Sequence, residues 1–115
     1  MIIGYIRVST EKQNPDNQRE EIRRFAEEKS FEIDDWITET VSGKTRYRKR
    51  KLGRVLRKLK AGDTLVVTEI SRLSRSLTEI MEIMGYCVER GICVYTTKER
   101  YTFDNSINSK VLCFA

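Results

Sequence analysis

Histidine is absent from these 115 residues, proline occurs once and cysteine three times. Without histidine the chain lacks the commonest general base and the commonest metal ligand, so any catalysis has to run on serine, arginine, tyrosine, lysine or carboxylates. Cys87, Cys93 and Cys113 are odd in number and sit beside apolar neighbours such as Val88, Ile92 and Leu112. That pattern predicts buried reduced thiols in place of disulfides or a zinc site. No apolar run reaches the roughly 20 residues that cross a bilayer, and Met1 leads straight into IIGYIRV with no basic leader. The expectation is a cytoplasmic protein with no membrane partner. At this length, with 39% hydrophobic and 34% charged residues, the sequence predicts one globular domain with a modest core.

Positive charge is present, but it is not spread out. Ten basic residues and no acid lie between Lys44 and Lys60, while the rest of the chain carries 12 basic and 17 acidic residues. A block of this kind repels itself unless it meets a polyanion, which points to contacts with a phosphate backbone; a solvated helix face is the plainer alternative. The block opens on the polar stretch Ser42-Gly43-Lys44-Thr45 and continues into Leu52, Val55, Leu56 and Leu59, the i, i+3, i+4, i+7 stripe of a core-facing helix. Arg50, Arg54, Arg57 and Lys58 are then expected to point outward.

The remaining periodicity alternates strand and helix. Residues 2–8 read as a buried strand ending at Ser9-Thr10. Asn14-Pro15 signals a helix start, followed by the inward stripe Ile22, Phe25 and Ala26. Trp36-Ile37-Thr38 suggests a short strand, and Thr64 to Thr68 reads as a central one. Ser76-Leu77-Thr78-Glu79 has the form of a capping box, opening a helix that Gly91 stops before a strand over Ile92–Thr96. This order predicts an α/β fold with a mainly parallel central sheet and helices on both faces.

Ligands of such sheets collect beyond the carboxyl ends of the strands. There the first strand offers Arg7 and Ser9, on one side by alternation, and the third runs into Glu69-Ile70-Ser71-Arg72-Leu73-Ser74-Arg75. A hydroxyl ringed by Arg7, Arg72 and Arg75 suits a phosphodiester, because guanidiniums bind phosphate oxygens bidentately and stabilise charge gathering at phosphorus. With no imidazole to activate Ser9, the arginines have to lower the cost of the alkoxide, with Gln13 and Gln18 as polar orienters. The alternative reading has Ser9 capping a helix, Arg7 pairing with Glu69, and Arg72 and Arg75 as surface charges.

The run Tyr5-Ile6-Arg7-Val8-Ser9-Thr10-Glu11-Lys12-Gln13, with Asp16 and Gln18, resembles the nucleophile motif of the serine recombinases (resolvase/invertase family). Ser42-Gly43-Lys44, Gly62-Asp63-Thr64-Leu65 and Ser71-Arg72-Leu73-Ser74-Arg75 follow in that family's order, so the match spans the chain as an N-terminal catalytic domain. The resemblance implies site-specific strand exchange on double-stranded DNA. Ser9 would attack a backbone phosphate to give a 5′-phosphoserine and a 3′-hydroxyl, while Arg7, Arg72 and Arg75 hold the phosphate and Gln13 and Gln18 support the loop. The covalent link conserves the phosphodiester energy, so neither metal nor other cofactor is implied. Lys44, Arg46, Arg48, Lys49, Arg50 and Arg54 are the candidate DNA contacts. Lys49 best matches the family's basic residue that touches the scissile phosphate, with Arg46, Arg48 and Arg50 left open.

Two departures stand out. Many members carry Asp where this chain has Ser71, so the acid/base role falls to Ser71 as a hydrogen-bonding group, or to Glu69 or Asp16. The family's dimerisation helix would begin near Ser106, making residues 1–105 the catalytic domain, 106–115 the start of a truncated helix, and the C-terminal DNA-binding domain absent. The family works as homodimers and tetramers; this chain alone is expected to bind DNA weakly and to recombine nothing.

Overall fold

The β-branched and apolar residues Ile2–Val8 form strand β1, with all but Ile2 buried, in a computed structural model that describes residues 1–10 and 12–104. Four further strands follow: β2 (Asp35–Thr40), β3 (Thr64–Val67), β4 (Cys93–Thr96) and β5 (Thr102–Phe103). The sheet order is β2-β1-β3-β4-β5, parallel throughout except for the antiparallel β4–β5 pair. Strand β5 has no counterpart in the sequence reading; two residues are too short for alternation to register. The expected start of a helix at 106–115, together with Cys113, lies outside the described residues. Cys87 is buried as expected, whereas Cys93 is only half-buried, because edge-proximal β4 leaves that position partly open.

Among the described residues three α-helices connect the strands: α1 (Asp16–Lys29), α2 (Lys51–Lys58) and α3 (Leu77–Arg90). Right-handed crossovers in this strand order put α1 on one face and α2 and α3 on the other. The core divides accordingly. Ile6 and Val66 pack with Ile22 and Phe25 of α1, whereas Ile3, Tyr5, Leu65 and Val94 pack with Leu52 and Leu56 of α2 and Ile83 and Met84 of α3. Odd positions of β1 therefore face α2 and α3, and Arg7 continues that row.

Local signals hold with three adjustments. Pro15, already helical at φ −70° and ψ −16°, takes the position just before α1, and Asn14, one residue earlier, serves the first turn by accepting from the Asp16 amide at its Oδ1 at 2.9 Å. Half of the capping box forms, with Ser76 Oγ accepting from the Glu79 amide at 3.3 Å. The Glu79 carboxylate turns away to accept from the Tyr47 amide at 2.9 Å, because that donor is buried and has greater need of an acceptor. The third adjustment corrects a site residue. Arg54, Arg57 and Lys58 are exposed as expected, but Arg50 is 3% exposed and points inward. It precedes the first turn of α2 with extended backbone (φ −104°, ψ 169°), so the helical stripe does not govern its direction.

Candidate active site at the carboxyl ends of β1 and β3

In the order β2-β1-β3, the winding of the sheet reverses between β1 and β3, and this is where a parallel sheet opens a crevice at its carboxyl edge. The end of β1 supplies Arg7, Val8 and Ser9. The segment after β3 turns through a short 3-10 stretch (Ile70–Arg72) and carries Ser71, Arg72 and Arg75.

Arg7 is the organising group. Its side chain is wholly buried, and three backbone carbonyls accept from it: Arg72 O from Nε at 2.9 Å, Ser71 O from Nη2 at 2.8 Å and Val41 O from Nη1 at 3.1 Å. The same Nη1 donates to Ser9 Oγ at 3.3 Å. A planar guanidinium with this many fixed acceptors has no rotamer freedom left, so the donor aimed at Ser9 is set before any ligand arrives. Burial holds the Arg7 guanidinium below its ordinary pKa, and the cations of Arg50, Arg72 and Arg75 push the same way, opposed by Tyr5. Like charges gathered in this way are an invitation to an anion.

The surrounding groups fix the backbone of the nucleophile loop. Gln13 Oε1 accepts from the Ser9 amide at 2.6 Å. Gln18 Nε2 and Arg72 Nη1 both donate to the Arg7 carbonyl, at 3.0 and 3.2 Å. Arg75 reaches the cluster through the loop after β2: its amide donates to Gly43 O at 3.3 Å. A Cβ on Gly43 would lie 2.8 Å from Arg75 Cγ and 3.0 Å from Arg7 Nη2, so only glycine lets the loop close onto both arginines.

The structure thus brings Arg7, Ser9, Gln13, Gln18 and Arg72 into one bonded group, with Arg75 beside it. The alternative roles read for two of them do not hold. Ser9 caps no helix, and Arg7 does not pair with Glu69. Glu69 instead pairs with Arg72 at 3.1 Å and with Lys98 at 3.7 Å. Asp16 is bound to Arg19 at 2.7 Å on an exposed turn, and Ser71 contributes its carbonyl to Arg7 while the residue itself is exposed. Among the basic-block candidates, Lys44, Lys49 and Arg54 are exposed, Arg46 and Arg48 reach Glu82 of α3 at 3.9 and 3.2 Å, and Arg50 is internal. Among the described residues no group of three or more His, Cys, Asp or Glu side chains could hold a metal ion, and no helix is long and apolar enough to cross a membrane.

Two residues of the network behind these arginines were not among the candidate site residues of the sequence. Glu39 is buried opposite Arg7 in the β1–β2 register, where it accepts from the Tyr5 hydroxyl, lies 3.4 Å from Arg50 Nε and accepts from the Lys51 amide at 2.7 Å. Tyr5, beneath Arg7, has its pKa pushed far upward, first by burial, so it stays a donor to Glu39 at any physiological pH. The available signal was phase: in strand alternation Ile37 and Glu39 share a side, and a carboxylate on the inward phase demands a cation.

Comparison with known proteins follows the same lines. Residues 2–114 match the family described as "Resolvase, N terminal domain". The chain is 42% identical over 92 residues to the serine recombinase gin of Escherichia phage Mu, an overlap of 80% of this chain and 44% of that protein. It is 30% identical over 114 residues to the transposon Tn552 resolvase of Staphylococcus aureus, covering 99% of this chain and 54% of that one. The chain spans about half the length of these relatives. Among solved structures, the N-terminal catalytic domain of TP901-1 integrase superposes with a TM-score of 0.86 at 24% identity, over 98% of this chain and 88% of that one. A resolvase family site-specific recombinase from Streptococcus pneumoniae gives 0.78 at 18% identity, over 98% and 82%. At these identities the structural likeness speaks for the fold.

Proposed function

The chain belongs to the resolvase N-terminal domain family of serine recombinases, and on that footing we propose that it is the catalytic part of a site-specific DNA recombinase whose nucleophile is Ser9. One observation carries the reading: the hydroxyl of Ser9 accepts a hydrogen bond from Arg7 Nη1, whose guanidinium is fixed by three backbone carbonyls.

The step begins as Ser9 Oγ attacks the phosphorus of a backbone phosphodiester. The Oγ–P bond forms as the P–O3′ bond breaks, Ser9 loses its proton, and the departing strand end takes one up as a 3′-hydroxyl. Arg7 stabilises the oxygen as it becomes anionic, while Arg72 and Arg75 take the charge accumulating on the phosphoryl oxygens. Gln13 holds the Ser9 amide and Gln18 the Arg7 carbonyl, positioning the nucleophile without touching the proton. After strand exchange, a 3′-hydroxyl attacks the phosphoserine, restoring the phosphodiester and releasing Ser9. Glu69 is committed to Arg72 and Lys98, and Asp16 to Arg19, which leaves Ser71 a hydrogen-bonding role in place of the family's carboxylate. Duplex DNA is the substrate, a homodimer assembling into a tetramer is the working form, and the cytoplasm is the site of action. Residues 1–105 form the catalytic unit in this reading, with a dimerisation helix beginning at 106.

The test uses the intact protein and duplex DNA carrying its recombination site. Denaturing electrophoresis should reveal a protein–DNA adduct that Ser9→Ala removes. An adduct that persists in Ser9→Ala overturns the assignment. A protein whose function survives Ser9→Ala but fails on charge reversal at Arg72 would instead be a phosphate-binding module without chemistry.

A further inference from the structure

Beside the nucleophile site, an open cleft of about 440 Å³ lies over the carboxyl end of β2, walled by Thr38, Thr40, Lys49, Arg50, Lys51 and Arg54, with Glu39 at its base. Four cations and one carboxylate make this wall, and the carboxylate is already occupied. Glu39 accepts from the Tyr5 hydroxyl and the Lys51 amide, and it lies 3.4 Å from Arg50 Nε.

Arg50 is the unusual member. Its side chain is fully buried, and Nη2 donates to the Leu73 carbonyl. Its Nη1, however, has no hydrogen-bond partner, and its Nε meets Glu39 as an ion pair without hydrogen-bond geometry. A guanidinium buried with donors unspent keeps a positive charge that the single carboxylate of Glu39 offsets only in part, and that charge adds to the field of the cleft. The exposed cations around it are open to a ligand: among the described residues neither Lys49 nor Arg54 makes an ion pair, and Lys51 Nζ donates only to the Thr38 carbonyl at 3.1 Å. Arg46 and Arg48, by contrast, are drawn off toward Glu82 on the other side of the loop. The basic block is thus divided in two by its partners.

We propose that this cleft is a second phosphate seat, which holds a backbone phosphate of duplex DNA flanking the one attacked by Ser9. The placement follows from Val41, which lines the cleft and whose carbonyl accepts from the Arg7 Nη1 that touches Ser9. One strand can therefore pass from Ser9 over Val41 into the cleft. The ligand's chemistry is a phosphodiester oxyanion held by the exposed Lys49, Lys51 and Arg54, with the buried charge of Arg50 behind them, and it is read without regard to base. The inference rests on DNA being the substrate, but not on Ser9 being the nucleophile.

The experiment is a titration of a short fluorescein-labelled duplex with this chain, followed by anisotropy over a series of salt concentrations. Replacing Lys51 and Arg54 together by Gln should flatten the log–log salt dependence by about 1, the counterion released by the one phosphate that the seat neutralises. The pair Arg46→Gln with Arg48→Gln should change it by less than half as much. Thr40→Glu, a surface change that puts a carboxylate on the cleft wall, should weaken binding at low salt and serves if the double variant unfolds. Inorganic phosphate substituted for chloride at equal ionic strength should compete for the seat and weaken duplex binding by the unaltered chain more than by the Lys51 and Arg54 double variant. Equal effects from the two pairs, an inert Thr40→Glu, inorganic phosphate acting equally on the unaltered chain and the double variant, or no salt-dependent binding by the unaltered chain would each overturn the proposal. Adduct formation is not read here, so a failed adduct with an intact cleft response defeats only the catalytic reading.

Discussion

Arg7 and Arg48 are the same side chain put to opposite uses. Arg7 is sealed beneath the end of β1 with three of its five N–H donors on the carbonyls of Val41, Ser71 and Arg72 and a fourth on the Ser9 hydroxyl. Arg48 stands in solvent, its side chain 64% exposed, paired with Glu82 at 3.2 Å. Arg50, two residues further on, returns to the inner class by way of Glu39 and the Leu73 carbonyl. Charge count alone would rank Arg48 and Arg50 together. Burial and carbonyl partners separate them, because a guanidinium becomes a positioned catalytic or binding group only when its alternatives are used up.

That contrast can be broken most forcefully from the inner side. Glu39→Ala leaves Arg50 buried without its counterion and should cost about 3–5 kcal/mol in chemical denaturation. A loss near that of a surface pair would mean that the inner network is ornamental. Gly43→Ala comes next. Its Cβ would fall 2.8 Å from Arg75 Cγ and 3.0 Å from Arg7 Nη2, so the loop has to shift, at about 1–3 kcal/mol by overpacking. Adduct formation should fall by at least about tenfold, the rate equivalent of roughly 1.4 kcal/mol. A Gly43→Ala protein with unchanged adduct yield would show that the loop need not close on the arginines.

A smaller effect is expected from acid. Asp63 accepts from the Lys60 amide at 2.7 Å and from the Met1 ammonium at 3.0 Å, and these hold its pKa below the ordinary 3.8. A carboxylate lowered on folding stabilises the fold in full above its unfolded value. That contribution is lost as pH falls through the lower folded value. Denaturation midpoints should therefore drop below about pH 4 more steeply for the unaltered chain than for Asp63→Asn. The smallest effect belongs to the outer class: Arg48→Gln should leave the denaturation midpoint unchanged within the error of the measurement, as exposed pairs do.

Much of this was legible in the sequence where periodicity is the cause. The β1 run, the Leu52–Leu59 stripe and the Ile22, Phe25, Ala26 face follow from side chains that must leave water, whatever they meet. The pairing of Arg7 with Ser9 was legible for the same reason, since residues two apart on a strand share a side. Arg50 was not, because it sits where helical spacing has not begun and its direction is set by Glu39, which β2 brings in from another part of the chain. Glu79 was half legible. Its amide obeys the local cap, but its carboxylate answers to Tyr47, a partner no local pattern contains. Contacts made across the sheet edge are decided by register, and register is a property of the assembled fold.

The central claim is that Ser9 carries the covalent link, and tandem mass spectrometry of the nuclease-trimmed protein–DNA adduct tests it most directly. The account predicts a phosphonucleotide on Ser9. The same modification on Thr10, Ser42 or Ser71, each a hydroxyl near the arginine cluster, would contradict it.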